Sequence, residues 1–261
     1  MRSLDIAGTG MQAQQTNVEV ISNNIANMTT TGFKRRRAEF QDLIYQNIRR
    51  VGANSSDSGA VVPSGAQVGL GVKTGAIYRI NEQGNLQQTS NSLDLAVRGN
   101  GYFQVGLPSG ETAYTRDGTF SLSPSGQVVT SDGYVVQPGI TVPGNATNVA
   151  INAAGQVQVT LDGQTAPQTV GTIALAVFPN EAGLDAQGSN LFLQSGASGD
   201  AVTGTPGSPG FGSVLQGFTE TSNVNVVTEI TDLITAQRAY EMNSKVITAS
   251  DQMLSTLTNL R

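Results

Sequence analysis

Apolar residues recur every seven positions at both ends of this chain and lose that spacing in between. Leu4, Met11, Val18 and Ile25 form one series, and Val226, Leu233, Tyr240, Ile247 and Leu254 form the other. Each series places one apolar side chain per two helical turns. With 38% hydrophobic residues, five successive hits arise by chance at under about 1% per register. From Val226 onward neither Gly nor Pro interrupts the pattern, and Glu, Gln, Arg, Met, Leu and Ala fill many of the intervening positions, which predicts a helix. The first series predicts a second helix whose opening turns are frayed by Gly8 and Gly10, each costing about 1 kcal/mol relative to Ala. That helix is expected to end near Thr29-Thr30-Thr31-Gly32, where a β-branched run meets a glycine able to take the left-handed cap position. Each stripe reads either as an ordinary amphipathic face on a globular core or as a seam with another helix, supplied by the other end of the chain or by a neighbouring copy.

The interior reads differently. Phe40, Leu43, Ile44 and Ile48 fit helix and twisted strand alike. Gly52 to Gly71 is rich in Ser, Gly and Pro and predicts an exposed loop or extended arm. From Thr74 to Leu193, short apolar alternations are broken by Gly84-Asn85, Asn100-Gly101, Asp117-Gly118, Asp132-Gly133 and Asp162-Gly163, the chemistry of hairpin turns. These predict an all-β domain of roughly eight to twelve strands. Gly196 to Ser213 reads as a loose return segment with little to bury. The expected class is α+β, with residues 1–33 and 220–261 forming a discontinuous coiled-coil domain, 34–75 an extended arm, and 76–219 a central all-β domain.

Composition narrows the chemistry. The chain has no Cys, no His and no Trp, which removes disulfides, thiolate and histidine metal sites, and Ser-His-Asp or Cys-His triads. No metal, cofactor or catalytic residue is predicted. Gly8-Thr9-Gly10 with Ala13 imitates a dinucleotide fingerprint, yet too few residues precede it to form the strand that motif needs. Asp117, Asp132 and Asp162 offer carboxylates for a glycosidase pair, but each precedes a Gly and is explained by a turn. A monomeric β-domain carbohydrate-binding protein or hydrolase is the alternative these residues leave open.

Charge is unevenly distributed. Residues 1–50 hold seven Lys or Arg against four Asp or Glu, and the rest hold seven against fifteen. A basic end and an acidic body suit head-to-tail contact between copies. The run Lys34-Arg35-Arg36-Arg37 lacks surrounding aromatics and is followed at once by Glu39 and Asp42, so nucleic acid is not expected. The longest apolar run, Ile173 to Phe178, is too short to span a bilayer, and the first twenty residues lack a secretory layout.

Asn23, Asn24 and Asn27 crowd the end of the first stripe. Asn is a middling helix former, so these amides either cap the helix locally or bridge helices and set register between subunits. The same residues carry a resemblance. Ser22-Asn23-Asn24-Ile25-Ala26-Asn27 with Thr31-Gly32-Phe33-Lys34 resembles the N-terminal signature of bacterial flagellar rod and hook proteins. Gly101-Tyr102-Phe103 and Tyr114-Thr115-Arg116-Asp117-Gly118 resemble that family's β domain. Glu220-Thr221-Ser222-Asn223-Val224-Asn225-Val226 and Gln237-Arg238-Ala239-Tyr240-Glu241 resemble its C-terminal helix.

Length and the stretch Glu39-Phe40-Gln41-Asp42-Leu43-Ile44-Tyr45-Gln46 look most like the distal-rod members, with proximal-rod and hook members the alternatives. The resemblance implies a structural subunit of a hollow helical shaft in the basal body. Its terminal helices would form the inner layer and its β domain the outer layer, while its arm grips neighbours. Implied partners are other copies, proximal rod proteins, the hook protein, the peptidoglycan and outer-membrane ring proteins, and the flagellar export apparatus, which would carry the chain out without a cleavable signal peptide. The nine stripe residues bury too little apolar surface to offset the entropy of ordering both ends, so those ends are expected to fold only when subunits meet.

Overall fold

Asn225 opens the longest element of the chain. Its side-chain Oδ1 accepts from the backbone N–H groups of Val227 (3.1 Å) and Thr228 (3.4 Å), an N-cap that satisfies donors the first turn leaves free. Helix α2 then runs from Val226 to Asn259, about 50 Å at 1.5 Å per residue. Helix α1 spans Arg2–Ala26. The computed structural model describes residues 2–49, 64–164 and 166–259.

One expectation for α1 is corrected. The helix is continuous through Gly8 and Gly10, but it ends at Ala26, before the threonine run. Gly32 does take a left-handed φ of 68°, but in a turn beyond the helix, where its N–H donates to the Glu220 carbonyl at 2.8 Å.

Two compact units emerge. The first comprises Met1–Ile25, Arg36–Tyr78 and Asn225–Arg261, and the second comprises Ala26–Arg35 and Arg79–Val224. The first unit holds α1, α2 and a ribbon of two short sheets. Strand Arg36–Asp42 pairs with Val72–Arg79, and Tyr45–Arg49 pairs antiparallel with Ala66–Gly69. Residues 39–48, which fitted either helix or strand, are therefore mostly strand. Residues 52–63 of the expected arm lie outside the described residues, and the remainder contains the Ala66–Gly69 strand.

The second unit is β throughout, apart from one turn of 3-10 helix at Glu181–Gly183. Among the described residues it holds sixteen strands, more than the eight to twelve expected, because many are only two or three residues long. Such pieces carry no readable period. A nine-stranded sheet centres on Tyr102–Gly106, which pairs with Thr112–Thr115 on one edge and with Val135–Val136 and Leu175–Val177 on the other. Ala146–Ile151, Gln156–Leu161 and Gln168–Thr172 form a three-stranded sheet. Leu95, Val97, Phe103, Phe120, Val157, Val159, Leu175 and Val214 are buried in the main core.

Only some of the expected turns form. Gly133 and Gly163 have φ of 86° and 80° and close hairpins as expected. Gly84 and Gly118 instead accommodate passing backbone, since a Cβ there would lie 1.9 Å from the Thr221 carbonyl oxygen and 1.6 Å from that of Leu95. The return segment from Gly196 is also ordered. Val202–Gly204 pairs with Leu175–Val177, and Phe211 packs on the core.

Candidate assembly surface

The two helices of the first unit meet along a narrow polar seam. Ser250 Oγ lies 3.2 Å from Ser3 Oγ, and Asn24 Nδ2 donates to Glu229 Oε2 at 3.1 Å. A Cβ on Gly10 would sit 2.9 Å from Asn243 Nδ2. Positions on α1 rise by sevens as those on α2 fall by sevens, so the helices run antiparallel in heptad register. Glu229, Ala236 and Ser250 are buried. The seam is built from small and polar side chains, which permit close approach but bury little apolar area.

The sequence-predicted stripes flank this seam. Leu4, Met11, Val18 and Ile25 each lie one residue beyond a seam position of α1 and are half-buried. On α2, Val226, Leu233, Ile247 and Leu254 are half-buried and Tyr240 is 44% exposed. Val18 and Tyr240 come together, lining one open groove of about 360 Å³ with Gln15, Glu19, Gln237 and Glu241.

The asparagines divide their work. Asn24 Oδ1 accepts the Arg36 N–H and its Nδ2 donates to the Arg36 carbonyl, both at 2.8 Å. Together with its bond to Glu229, these contacts join the end of α1, the start of the ribbon and the first turn of α2 within one chain. Asn27 accepts from the Thr30 hydroxyl at 3.1 Å, a local cap. Asn23 is exposed.

Large exposed apolar side chains concentrate in this unit. Val227, Ile230, Ile234, Tyr240, Met242, Val246 and Met253 are exposed on α2, and Ile44, Tyr45, Ile48 and Ile77 on the ribbon. Among the described residues only Met28, Leu122 and Val202 join them from the second unit. An isolated two-stranded ribbon is marginal in water, and so much exposed apolar surface marks an interaction site.

A second polar cluster, not anticipated from the sequence, lies in the β unit. Lys34 Nζ lies 2.5 Å from Glu220 Oε1 and 2.8 Å from the Glu82 carbonyl, and Gly84 N–H donates to the same carboxylate oxygen at 2.9 Å. Arg116 Nη1 stands 3.6 Å from Glu220 Oε2. Burial pushes the Lys34 ammonium below its ordinary pKa, and Glu220 opposes part of that shift. Asn223 completes the cluster, accepting from the Arg35 N–H at 2.7 Å and donating to the carbonyls of Ile80 and Glu82. The basic run is thereby split, with Lys34 buried and only Arg36 and Arg37 fully at the surface. The signal available beforehand was the presence of Lys34, Glu220 and Asn223 inside the resemblance motifs.

The hydrolase alternative fares poorly. Asp117 accepts from Thr119 and Asn190, and the cavity it lines with Asp132 is about 10 Å³, the room of one water. No sugar ring enters it.

Three family descriptions match the chain. "Flagella basal body rod protein" covers residues 4–34, "Flagellar hook protein FlgE/F/G D1 domain" covers 96–159, and "Flagellar basal body rod FlgEFG protein C-terminal" covers 215–260. The flagellar basal-body rod protein FlgG of Caulobacter vibrioides is 63% identical over the full length of both chains. The chain belongs to the FlgG family of flagellar basal-body rod proteins. FlgG of Agrobacterium fabrum is 52% identical over 98% of this chain and 97% of its own, and that of Buchnera aphidicola from Acyrthosiphon pisum is 50% identical over 99% of each. Membership in the rod family places the chain in the flagellar basal body as a structural component. Among the described residues, no helix is long and apolar enough to cross a membrane.

Proposed function

We propose that this chain is the subunit of the distal rod, a hollow helical homopolymer that carries torque to the hook and leaves a central channel for export. The observation that carries this reading is the concentration of exposed apolar side chains on the helix pair and ribbon, whereas among the described residues the β unit exposes only Met28, Leu122 and Val202. In the polymer, the helix pair forms the inner layer, the ribbon Arg36–Tyr78 the gripping arm and the β unit the outer layer. Leu4, Met11, Val18, Asn23, Ile25, Val226, Leu233, Tyr240, Ile247 and Leu254 contact neighbouring copies, and Asn24 sets the register of the pair that presents them.

Proximal rod proteins adjoin one end of the polymer and the hook protein the other. The peptidoglycan and outer-membrane ring proteins surround it, and the flagellar export apparatus delivers each subunit. Torque transmission needs no catalysis; it needs a geometry that resists shear, which long interlocked helices supply.

Sedimentation with electron microscopy at rising concentration tests this reading. The expected result is helical tubes with a central channel, and Tyr240→Asp abolishes them while leaving the thermal transition of the β unit intact. A stable monomer at all concentrations, or unaltered tubes from Tyr240→Asp, contradicts it.

A further inference from the structure

The groove between the middles of α1 and α2 is lined by the apolar side chains of Val18 and Tyr240 and by the carboxylates of Glu19 and Glu241. No cation lines it. The same unit displays the complementary surface elsewhere. All five residues of strand Tyr45–Arg49 are exposed, with Tyr45 at 54% and Ile48 at 63%. Arg36, Arg37, Arg49 and Lys73 are also exposed on the ribbon. The pairing of Tyr45–Arg49 with Ala66–Gly69 slips between Asn47 and Arg49, so Ile48 is the extra residue of a bulge, a feature that re-aims a side chain and interrupts a sheet edge.

We infer that strand Tyr45–Arg49 of one copy docks in the α1/α2 groove of another copy, with Ile48 against Val18 and Tyr240 and Arg49 paired with Glu19 or Glu241. This rests on the self-assembly reading above and names where the arm grips. Charge decides the occupant, because the described lining of the groove holds two carboxylates and no cation, and the strand that carries Tyr45 and Ile48 ends in Arg49. Within a single chain the groove stays open and the strand stays exposed, so the two surfaces do not satisfy each other. Two different patches meeting between copies make a heterologous contact, which builds rings or open helices rather than a closed two-fold dimer.

The absence of native cysteine makes the test direct. Ile48→Cys and Val18→Cys chains are mixed, polymerised and exposed to a mild thiol oxidant. The expected product is a disulfide-linked pair containing one chain of each kind, formed in polymer and not in dilute solution, and exceeding a control mixture of Ile48→Cys with Ser131→Cys. In parallel, Arg49→Glu alone, or Glu19→Lys with Glu241→Lys, raises the critical concentration at least tenfold, and combining the two sets recovers most of that loss. Polymer that forms without the cross-link and tolerates the charge reversals overturns this docking and leaves the self-assembly reading standing. Failure of the unmodified chain to polymerise overturns that reading and the docking with it.

Discussion

Lys34 and Glu220, 186 residues apart in sequence, meet at 2.5 Å with side chains 2% and 1% exposed. The carboxylate also takes the Gly84 N–H and faces Arg116. One buried anion thus ties the segment that follows α1, the strand entry at Gly84 and the segment that precedes α2. Removing one partner of a buried pair strands the other charge without water.

Glu220→Ala is therefore expected to destabilise the β unit by about 3 to 5 kcal/mol. Lys34→Met combined with Glu220→Leu recovers most of that loss, because neither charge is then left buried alone. Urea denaturation of the three proteins checks both outcomes.

Tyr102 supplies a pH signature. Its hydroxyl donates to Glu181 at 3.1 Å, and burial, reinforced by that carboxylate, pushes its pKa well above the ordinary tyrosine range. An unfolded chain releases this proton near pH 10, whereas the folded chain retains it to higher pH. The stabilisation is complete below pH 10 and is lost above it, at up to about 1.4 kcal/mol per pH unit. The stability difference between the parent and Tyr102→Phe should shrink along that slope between pH 10 and 11 in urea melts. Lys34 titrates with the opposite sign but identically in both proteins, so it cancels.

Two glycines separate close approach from helix propensity. A Cβ on Gly118 would overlap the Leu95 carbonyl oxygen at 1.6 Å, and that backbone cannot retreat because Leu95 N–H donates to the Gly118 carbonyl at 2.9 Å. Gly118→Ala should cost the β unit at least about 3 kcal/mol. Gly8 has nothing within 4 Å of its Cβ position, so Gly8→Ala should favour α1 by about 1 kcal/mol. That gain reads out as a critical concentration about fivefold lower.

These elements also show what was legible beforehand. Helix α2 could be placed from its uninterrupted heptads and the absence of Gly and Pro. The seam between the helices could not, because Ser3, Gly10 and Asn24 face Ser250, Asn243 and Glu229 in turn, and an apolar pattern is blind to small and polar residues. Among these, only Asn24 carries a sequence signal for bridging, through the cost of crowding amides into a helix. The ribbon was ambiguous because its strands are exposed on both faces and lack the alternation a core imposes. The Lys34–Glu220 pair was hidden by distance along the chain and by the arginines beside Lys34, which gave it the look of a surface charge run.

Amide hydrogen exchange on the same protein, dilute and polymerised, bears most directly on the claim that the helix pair and ribbon are the assembly surface. Residues Val226 to Asn259 should exchange rapidly in dilute monomer and become strongly protected in polymer, while the strands of the β unit, such as Tyr102–Gly106, stay protected in both. Strong protection of α2 in the dilute monomer, unchanged on polymerisation, would contradict the account.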